Sequence, residues 1–382
     1  MLKKTKIVCT LGPASKDEKT MKAMLEAGMN VARLNFSHGT HEGHRKTIKT
    51  FRKVRDELGV PAAVLLDTKG PEIRVGDFEN GSEMLEAGDT FVLTSEKCMG
   101  TAQRADTTYK ALPTQVEAGT VILIDDGRIR MEVTDTTDTD VICRVISGGK
   151  ISNRKGVNIP NKSLDLEYIS EADRSDILFG IEMDVDYVAA SFVRSGDDVR
   201  ALRKLLNDNG GEKIKIISKI ENTEGIANFA EILDLSDGIM VARGDMGVEV
   251  DFEKLPGIQK KFIKECCRAG KPVITATQML ESMTTSTSPT RAEITDVANA
   301  VFDGTSAVML SGESAAGMFP VETVQAMAKI VHQAEIDAEE VNQYKFLEVE
   351  SDEKDIANAI GHAACTTAKD IKAKAIIAVT TS

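Results

Sequence analysis

Ile216-Ile-Ser-Lys-Ile-Glu221 is an isoleucine-rich run that ends in two charged residues. Short β-branched runs of this kind favour a buried strand, and we predict one from Lys213 to Ile220. Side chains alternate between the two faces of a strand, so Lys219 and Glu221 share one face. An ammonium and a carboxylate are costly to bury there unless they pair with each other or bind a ligand. Both interpretations are open on this stretch alone.

Alternating strands and helices extend from this stretch in both directions. The predicted strands cover residues 6–11, 30–36, 62–67, 186–191, 214–220, 238–242, 272–276 and 306–310. The predicted helices cover about 14–27, 41–58, 170–183, 197–207, 223–233, 256–269, 289–301 and 320–340. Eight strand–helix units in about 250 residues are typical of an α/β protein of the TIM (β/α)8 barrel class. An open, doubly wound sheet is the alternative that this pattern allows.

A different pattern interrupts the alternation between residues 70 and 167. Helical periodicity disappears there, and short alternating runs at 90–94, 120–124, 130–134 and 140–146 are separated by Gly-, Asp- and Asn-rich turns. Such runs predict a small antiparallel β-barrel inserted into the α/β domain. We therefore predict a barrel domain over 1–69 and 168–342, and an inserted domain over 70–167.

The last forty residues predict the beginning of a third domain. Residues 348–354 are highly charged and predict a loop, 355–371 predict an amphipathic helix, and 375–380 predict a strand. One helix and one strand cannot enclose a core of their own. Residues 343–382 are accordingly expected to be a truncated C-terminal α/β domain.

Composition limits the classes of function. The chain has 382 residues and a formal net charge of −13, which argues against nucleic acid or an anionic membrane surface as the main partner. The six cysteines form no Cys-x-x-Cys pair, and the N-terminal residues lack the apolar stretch of a signal peptide. These features predict a cytoplasmic protein with reduced thiols.

Polar residues follow most of the predicted strands. At or just beyond the carboxyl end of each strand, they are Arg33, Asn35, Ser37 and His38 for the second strand, Asp67, Thr68 and Lys69 for the third, Lys219 and Glu221 for the fifth, Arg243, Gly244 and Asp245 for the sixth, Thr277 and Gln278 for the seventh, and Ser311, Gly312, Glu313 and Ser314 for the eighth. In a TIM barrel the carboxyl ends of the strands meet at one mouth. We therefore expect these side chains to converge on one site.

Two kinds of chemistry are represented in this set. Glu221 and Asp245 supply the few hard oxygens with which a protein holds Mg²⁺ while leaving room for water and phosphate ligands. Arg33, Lys219 and Arg74 supply positive charge for a phosphoryl group. Together they suit phosphoryl transfer, in which catalysis depends mainly on positioning and charge neutralisation.

The nucleotide-binding signatures of P-loop proteins and of protein kinases are absent. Gly149-Lys150 and Gly270-Lys271 lack the spacing and the following Ser or Thr of a Walker A loop, and no His-Arg-Asp triplet occurs. Gly244 instead offers a place where a ligand can approach the backbone closely.

Eight stretches resemble the pyruvate kinase family and occur in that family's order. They are Lys6-Ile-Val-Cys-Thr-Leu-Gly-Pro13, Asn30-Val-Ala-Arg-Leu-Asn-Phe-Ser-His-Gly39, Leu66-Asp-Thr-Lys-Gly-Pro-Glu-Ile-Arg74, Lys155-Gly-Val-Asn158, Ile217-Ser-Lys-Ile-Glu-Asn222, Val241-Ala-Arg-Gly-Asp-Met-Gly247, Ile274-Thr-Ala-Thr-Gln-Met-Leu280 and Val308-Met-Leu-Ser-Gly-Glu-Ser314. The resemblance extends from residue 1 to about residue 340. It implies the last step of glycolysis, in which phosphoenolpyruvate phosphorylates ADP to give pyruvate and ATP.

The resemblance also implies roles for the residues that bind the first substrate. Lys219 would neutralise the phosphoryl group during transfer, and Arg33 would contact the phosphate of phosphoenolpyruvate. Gly244, Asp245 and Thr277 would hold the pyruvate moiety. Thr277 would lie near the point at which the enolate is protonated.

The remaining implied roles concern the nucleotide and two kinds of cation. Nucleotide contacts would come from Arg74, Lys155, Asn35 and His38. Mg²⁺ or Mn²⁺ would be held by Glu221 and Asp245. K⁺ would be held by Asn35, Ser37, Asp67 and Thr68. Potassium-dependent members of the family carry Glu in the Gly-Pro-Glu-Ile-Arg motif, and Glu72 occupies that position, so we predict potassium dependence.

The resemblance identifies the inserted domain as a lid over the nucleotide, with hinges at Gly70-Pro71 and near Lys162. A lid excludes water, which would otherwise hydrolyse the phosphoryl donor. The family resemblance also implies a homo-oligomer, whose contacts would be weakened here if the C-terminal domain is incomplete.

Three other interpretations are open at this point. Lys219 could form a Schiff base in a metal- or lysine-dependent pyruvate aldolase or lyase. Glu221 and Asp245 could be structural partners of Lys219 and Arg243 with no metal. The chain could also be a catalytically inactive regulatory or assembly protein on the same scaffold, although an intact set of buried charges with no ligand would be destabilising.

Overall fold

The structure is a computed structural model that describes residues 3–340 and 356–379. The chain divides into two compact units, Met1–Glu335 and Ile336–Ser382. In chain order the strands are β1 (Lys6–Thr10), β2 (Val31–Asn35), β3 (Ala63–Asp67), β4 (Ile73–Arg74), β5 (Ser82–Leu85), β6 (Thr90–Thr94), β7 (Arg104–Asp106), β8 (Val121–Ile124), β9 (Ile129–Thr136), β10 (Asp140–Ser147), β11 (Gly149–Ser152), β12 (Gly156–Asn158), β13 (Tyr187–Ala190), β14 (Lys215–Ile220), β15 (Gly238–Ala242), β16 (Val273–Ala276) and β17 (Ala307–Leu310).

The helices of the described residues alternate with the strands outside the inserted region. In chain order they are α1 (Glu18–Ala27), α2 (His41–Leu58), α3 (Leu112–Gln115), α4 (Glu171–Glu182), α5 (Gly196–Asp208), α6 (Thr223–Ala227), α7 (Phe229–Leu235), α8 (Arg243–Glu249), α9 (Leu255–Arg268), α10 (Arg291–Phe302), α11 (Gly312–Ala315), α12 (Pro320–Glu340) and α13 (Ile356–Asp370). Helix α1 begins at Glu18, later than the predicted start near residue 14, because Asp17 caps it by accepting the Thr20 N–H. Ser170 caps α4, and Gly28 follows α1 with φ +122°.

The large unit is built around a closed barrel of eight parallel strands. Their order around the barrel is β1-β17-β16-β15-β14-β13-β3-β2, so neighbours in sequence are neighbours in space and β17 closes on β1. The predicted TIM barrel is confirmed, and the open doubly wound sheet is excluded. The helices that connect these parallel strands pack on the outside of the barrel, where strands and helices share the larger apolar core.

The direction in which the β14 side chains point follows from the barrel core. Ile217 belongs to a small cluster inside the barrel, whereas Ile216 and Ile220 belong to the larger core between strands and helices. Because residues two apart share a face, Lys219 and Glu221 point toward the barrel axis with Ile217. They lie closer to the carboxyl end of the strand, and therefore at the mouth.

The inserted region is a curled sheet with its own apolar core. Seven strands lie in the order β4-β12-β8-β9-β10-β6-β7, and a bridge between Val75 and Thr107 joins the two ends. Phe91, Ile122 and Met131 are fully buried inside it. The expectation of a purely antiparallel domain is wrong in one respect, because β6 and β7 run parallel. The connection between them is long enough to bring the chain back in the same direction.

Two other element predictions need correction. The single helix predicted over 223–233 is two helices, α6 and α7, which are separated at Asn228. The Asn228 side chain donates to the Arg194 carbonyl oxygen, a bond that fixes the break. In addition, a helix begins at Arg243 immediately after β15, where the sequence suggested only a polar strand end.

In the small unit the predicted helix is confirmed as α13, but the predicted strand is wrong for residues 375–379. A strand is stable only beside another strand, and within residues 356–379 no second strand pairs with this segment. The predicted loop at 348–354, and residue 380 of the predicted strand, lie outside the described residues. No helix among the described residues is both long enough and apolar enough to cross a membrane.

Candidate active site

Lys219 lies at the centre of the barrel mouth and contacts residues from three strand ends. Its Nζ donates to Ser191 Oγ at 2.7 Å and to Asp67 Oδ1 at 3.1 Å, and it lies 3.0 Å from Glu221 Oε1. Burial alone would lower the pKa of Lys219, but the charges of Asp67 and Glu221 outweigh burial and raise that pKa above its ordinary value. The partners of Lys219 therefore favour its charged ammonium form.

Arg33 adds a second positive charge to the same carboxylate. Its Nε donates to Asp67 Oδ2 at 2.6 Å, and its Nη1 donates to Thr10 Oγ1 at 2.8 Å. Burial would raise the pKa of Asp67, but Arg33 and Lys219 hold it below its ordinary range. Asp67 thus orients both cations while leaving part of each one available to an anion.

Glu221 has an environment that suits a divalent cation. Its Oε2 accepts the Phe192 N–H at 2.7 Å, and its side chain is almost fully buried. Burial, opposed by Lys219 and reinforced by the charge of Asp245, raises the pKa of Glu221 to about 8. A cation bound by Glu221 and Asp245 would offset both the cost of burying the Glu221 charge and its repulsion by Asp245.

The number of acidic groups also limits the kind of metal site. Within residues 3–340 and 356–379, no group of three or more His, Cys, Asp or Glu is arranged to hold a metal. Two carboxylates fit the way Mg²⁺ is usually held, because Mg²⁺ keeps several waters or substrate oxygens. The residues present therefore fit the predicted Mg²⁺ or Mn²⁺.

The segment after β16 contacts the beginning of α8. The Gly244 N–H donates to Thr277 Oγ1 at 2.8 Å. Thr277 has φ +67°, a strained value for a β-branched residue that costs about 1–3 kcal/mol. Arg243 stabilises this conformation through its bonds to the Ala276 and Thr277 carbonyl oxygens. Backbone strain at a barrel mouth is a common property of ligand-binding residues.

Arg243 bears on the interpretation that Glu221 and Asp245 are structural partners of Lys219 and Arg243. The Arg243 guanidinium pairs with Asp296 at 2.7 Å while it donates to the carbonyl oxygens of Ala276 and Thr277, so it stabilises the segment after β16. The hypothesis that it is the structural partner of Asp245 is not supported by this contact. The corresponding hypothesis for Lys219 and Glu221 is correct in its geometry, because those two side chains do form an ion pair.

The residues predicted to bind K⁺ come from two neighbouring strand ends. Asn35 on β2 is directly opposite Asp67 on β3, and Ser37 and Thr68 follow them. Asn35 Oδ1 accepts the Ser37 N–H at 3.0 Å, and Thr68 Oγ1 accepts the Ser191 N–H at 3.1 Å. All four side chains offer oxygen, the ligand atom that alkali cations require, so the set fits a K⁺ ion.

A cleft of about 540 Å³ lies between the barrel mouth and the inserted sheet. His38 and Asp245 line it from the barrel, and Arg74 and Lys155 line it from the insert. Arg74 pairs with Glu72 at 2.6 Å, and Lys155 pairs with Asp125 at 2.7 Å. The predicted nucleotide-binding cations are thus brought to the same cleft as the predicted Mg²⁺ ligand.

Not all predicted residues are joined by direct contacts. Arg33, Asp67, Lys219 and Glu221 form one bonded network, whereas Gly244 and Thr277 form a second. Among the hydrogen bonds of the described residues, none connects these two networks. Glu313, which follows β17, is fully buried and binds the backbone N–H groups of the loops around it, so its role is structural.

Ser191 and Thr10 are site residues that the sequence reasoning missed. Ser191 follows β13 and accepts the Lys219 N–H, while Thr10 ends β1 and accepts the Arg33 N–H. The signal was present, because both residues are polar groups at a strand end. Thr10 on the first barrel strand and Ser191 after the fourth thus follow the same pattern as the other site residues.

Comparison with known proteins agrees with this geometry. The family model described as the pyruvate kinase barrel domain matches residues 2–324. The chain belongs to the pyruvate kinase family.

Relatives match along almost the whole chain. The chain is 49% identical to a pyruvate kinase of Clostridium acetobutylicum, and the match covers 99% of the chain and 80% of that relative. It is also 49% identical to a pyruvate kinase of Staphylococcus haemolyticus, over the full chain and 65% of that relative. The chain therefore spans about two thirds to four fifths of the length of these relatives. A crystal structure of a pyruvate kinase from Cryptosporidium parvum matches with a TM-score of 0.91 at 42% identity, over 97% of the chain and 77% of that structure.

Proposed function

We propose that this member of the pyruvate kinase family transfers the phosphoryl group of phosphoenolpyruvate to ADP. The observation that carries the proposal is the Lys219 ammonium, which is held at the barrel mouth by Asp67 and Glu221 beside the Arg33 guanidinium. Two fixed cations can bind the oxygens of a phosphoryl group, and the neighbouring carboxylates can bind the divalent cation that accompanies it. The names of the relatives support the same reaction.

In the proposed reaction, the bond between phosphorus and the enol oxygen breaks and a bond to a terminal oxygen of ADP forms. Lys219 neutralises charge on the phosphoryl group in flight, and Arg33 binds its oxygens before transfer. Gly244 and Thr277 orient the carboxylate end of the substrate. The enolate left behind takes up a proton on carbon to give pyruvate, on the side where Thr277 lies.

We propose that Glu221 and Asp245 hold Mg²⁺ or Mn²⁺, and that Asn35, Ser37, Asp67 and Thr68 hold K⁺. When bound, these ions supply additional positive charge for the phosphate oxygens. Arg74, Lys155, Asn35 and His38 are proposed to contact the nucleotide. The shared cleft between Asp245, Arg74 and Lys155 supports this arrangement.

The inserted sheet is proposed to act as a lid that excludes water from the transferred group. Both linkers to the barrel are anchored by side chains: Asp173 Oδ1 accepts the N–H groups of Lys69 and Gly70, and Arg194 donates to the carbonyl oxygens of Leu164 and Leu166. Fixed anchors on both sides support a hinge at each linker.

We further propose a cytoplasmic location and a homo-oligomeric assembly. All six cysteines are free thiols, which supports a reducing compartment. The assembly is inferred from the family resemblance alone.

A coupled assay for pyruvate tests the function. Purified protein should form pyruvate and ATP from phosphoenolpyruvate and ADP when both Mg²⁺ and K⁺ are present. Activity should be lost when Mg²⁺ is chelated, and it should be strongly reduced when K⁺ is replaced by a tetraalkylammonium ion. An inactive scaffold protein would form no ATP under any of these conditions, and unchanged activity in the tetraalkylammonium salt would refute the K⁺ assignment.

The lysine variant separates the kinase from the aldolase. Lys219→Met should lower kcat by a factor of about 10³, equivalent to about 4 kcal/mol of transition-state stabilisation, while changing the KM for phosphoenolpyruvate little. An aldolase requires a neutral Lys219, and borohydride would then trap pyruvate on it. The raised pKa of Lys219 favours the kinase.

A further inference from the structure

The inserted sheet contacts the barrel at helix α8. Asn158, the last residue of β12, donates from Nδ2 to Glu249 Oε1 at 3.1 Å. Glu249 is the last residue of α8. Close by, the turn at Gly127 packs against the same helix, because a Cβ placed there would lie 3.6 Å from Val248 Cγ1. One strand of the insert, β12, and one turn, at Gly127, thus meet the same short helix of the barrel.

Helix α8 also carries the proposed cation ligand Asp245. Asp245 and Glu249 are four residues apart, so their side chains lie on the same face of the helix. Both residues line the 540 Å³ cleft, together with Lys155 and Asn158 from the insert. Glu249 is therefore one helical turn from Asp245, the proposed Mg²⁺ ligand. Asn158 is three residues from Lys155, which is proposed to contact the nucleotide.

The Glu249 carboxylate gains from this contact. It is partly buried, and burial together with the charge of Asp245 raises the pKa of Glu249, while the hydrogen bond from Asn158 acts in the opposite direction. A hydrogen bond to a partly buried carboxylate is worth more than one to an exposed group. Ser163 and Glu224 form another contact between insert and barrel, at 3.1 Å, but it is exposed to solvent and contributes less.

We propose that Asn158 and Glu249 form a latch that fixes the insert on α8 and thereby sets the position of Lys155 relative to Asp245. Asn158 and Glu249 are positioning residues in this role, since they act on the nucleotide and the cation through Lys155 and Asp245. The proposal rests on the proposed phosphoryl transfer and adds to it a determinant of nucleotide affinity. The phosphoenolpyruvate side of the site is built from barrel residues only, so loss of the latch should affect it less than the nucleotide side, which includes residues of the insert.

An exchange of donor and acceptor tests the latch. Asn158→Asp places two carboxylates against each other and should open the contact. Glu249→Gln keeps an oxygen that accepts from Asn158, so this variant should resemble the wild type. In the double variant N158D/E249Q, the glutamine amide can donate to the new aspartate, and the contact should form again with its polarity reversed.

Kinetics provide the first measurement. For N158D we expect the KM for ADP to rise about tenfold, because this variant loses the hydrogen bond to Glu249 and also adds repulsion between two carboxylates. The KM for phosphoenolpyruvate should stay within about twofold. E249Q and the double variant should keep a KM for ADP within about threefold of the wild type. Asn158→Ala, which removes the donor without adding repulsion, should give an intermediate value.

Hydrogen–deuterium exchange provides a measurement that does not depend on activity. Amides of β12 and α8 should exchange faster in N158D and should recover in the double variant, with melting temperatures of all variants near that of the wild type. The latch is refuted if N158D keeps the wild-type KM for ADP and wild-type exchange, or if the double variant stays as impaired as N158D. If the wild type makes no ATP but exchange follows the expected pattern, the proposed function fails and the latch stands.

Discussion

At Lys219, a single ammonium is coordinated by oxygens from three separate strand ends: Ser191 after β13, Asp67 on β3 and Glu221 after β14. Buried charges are stable only when they are paired and hydrogen-bonded, so each of these groups depends on the others. Ser191 is the neutral member of the set. It orients the Lys219 side chain through a hydrogen bond but does not neutralise the ammonium charge, so that charge is available for a phosphoryl group.

The Ser191 hydroxyl gives the first prediction. Ser191→Ala removes the acceptor of the 2.7 Å bond from Lys219 and the donor to the Thr68 carbonyl oxygen. We expect kcat to fall about tenfold, because Lys219 loses its orientation, with a smaller change in the KM for phosphoenolpyruvate. Steady-state kinetics at saturating ADP would measure both values.

Ser218→Ala is the matched control for this experiment. Ser218 is also buried, and its hydroxyl is hydrogen-bonded to the Ser236 hydroxyl at 2.6 Å. Because Ser218 directly precedes Lys219 in the strand, its side chain points away from the barrel axis. It should lower stability by about 1 kcal/mol and leave kcat unchanged. Equal kcat values for the two variants would contradict a role for Ser191 in positioning Lys219.

The raised pKa of Glu221 gives a second prediction. Burial and Asp245 raise that pKa to about 8 when no cation is bound, and Mg²⁺ binds only the ionised carboxylate. The apparent affinity for Mg²⁺ should therefore increase with pH up to about 8, and binding at pH 7 should release a proton. Isothermal titration calorimetry in buffers with different ionisation enthalpies would measure the proton release.

Glu221→Gln provides the control, since it cannot ionise. It should bind Mg²⁺ weakly and release no proton. An affinity for Mg²⁺ in the wild type that does not change between pH 6 and pH 8 would show that Lys219 keeps Glu221 ionised even without metal.

Among the elements, α8 has the most direct effect on the site. It begins at Arg243, directly after the last residue of β15, so the first turn of the helix lies at the barrel mouth. Gly244 lies in that first turn, and its N–H is directed at Thr277 Oγ1. A side chain at position 244 would occupy the space beside Thr277 that the proposal assigns to the substrate carboxylate.

Gly244→Ala should separate binding from stability. A Cβ at this position would lie 3.5 Å from Thr277 Oγ1, an ordinary contact, so the fold tolerates it. Because alanine is the better helix former, we expect a melting temperature equal to or slightly above that of the wild type. The KM for phosphoenolpyruvate should nevertheless rise about tenfold, equivalent to about 1.4 kcal/mol of lost binding.

Gly257→Ala is the control for the helix effect. Gly257 lies in the first turn of α9, and a Cβ there would meet nothing within 4 Å. It should show the same thermal behaviour with unchanged kinetics. If Gly244→Ala also left the KM for phosphoenolpyruvate unchanged, the carboxylate would have to bind elsewhere.

Over the whole molecule, the joint between barrel and insert depends on Gly70. Gly70 has φ +77°, and a Cβ there would lie 2.9 Å from Ser191 Cβ and 3.0 Å from the Ser191 carbonyl oxygen. The joint and the Lys219 network therefore share Ser191. A change at the joint should affect both the stability of the chain and the chemistry at the mouth.

Gly70→Ala and Gly59→Ala test this coupling as a pair. Both positions have a left-handed φ, but nothing lies within 4 Å of a Cβ at Gly59. Gly59→Ala should cost about 1–2 kcal/mol of unfolding free energy with kcat unchanged. Gly70→Ala should cost about 1–3 kcal/mol more from overpacking, and it should lower kcat because Ser191 is displaced. Chemical denaturation and the coupled assay measure the two effects, and equal kcat values would disprove the coupling.

Local signals explain which elements could be predicted from the sequence. Helix α2 was predicted with its observed limits because its periodicity is strong, and β6 because its apolar alternation lies between turn residues. The short strands β4 and β12 could not be predicted, since two or three residues carry too little pattern. The break at Asn228 also lacks a local signal, since the bond that holds it reaches Arg194, which is distant in the chain.

The sequence by itself determined the eight-fold alternation, the inserted sheet and the set of polar residues at the strand ends, because periodicity and residue type are local properties. It also determined that Lys219 and Glu221 share a face. Only the tertiary structure decided that Ser191 and Asp67 hold the Lys219 ammonium, that α8 presents Gly244 to Thr277, and that Asn158 meets Glu249. These contacts join residues far apart in the chain, and their distances depend on barrel closure and on how the insert packs against the barrel.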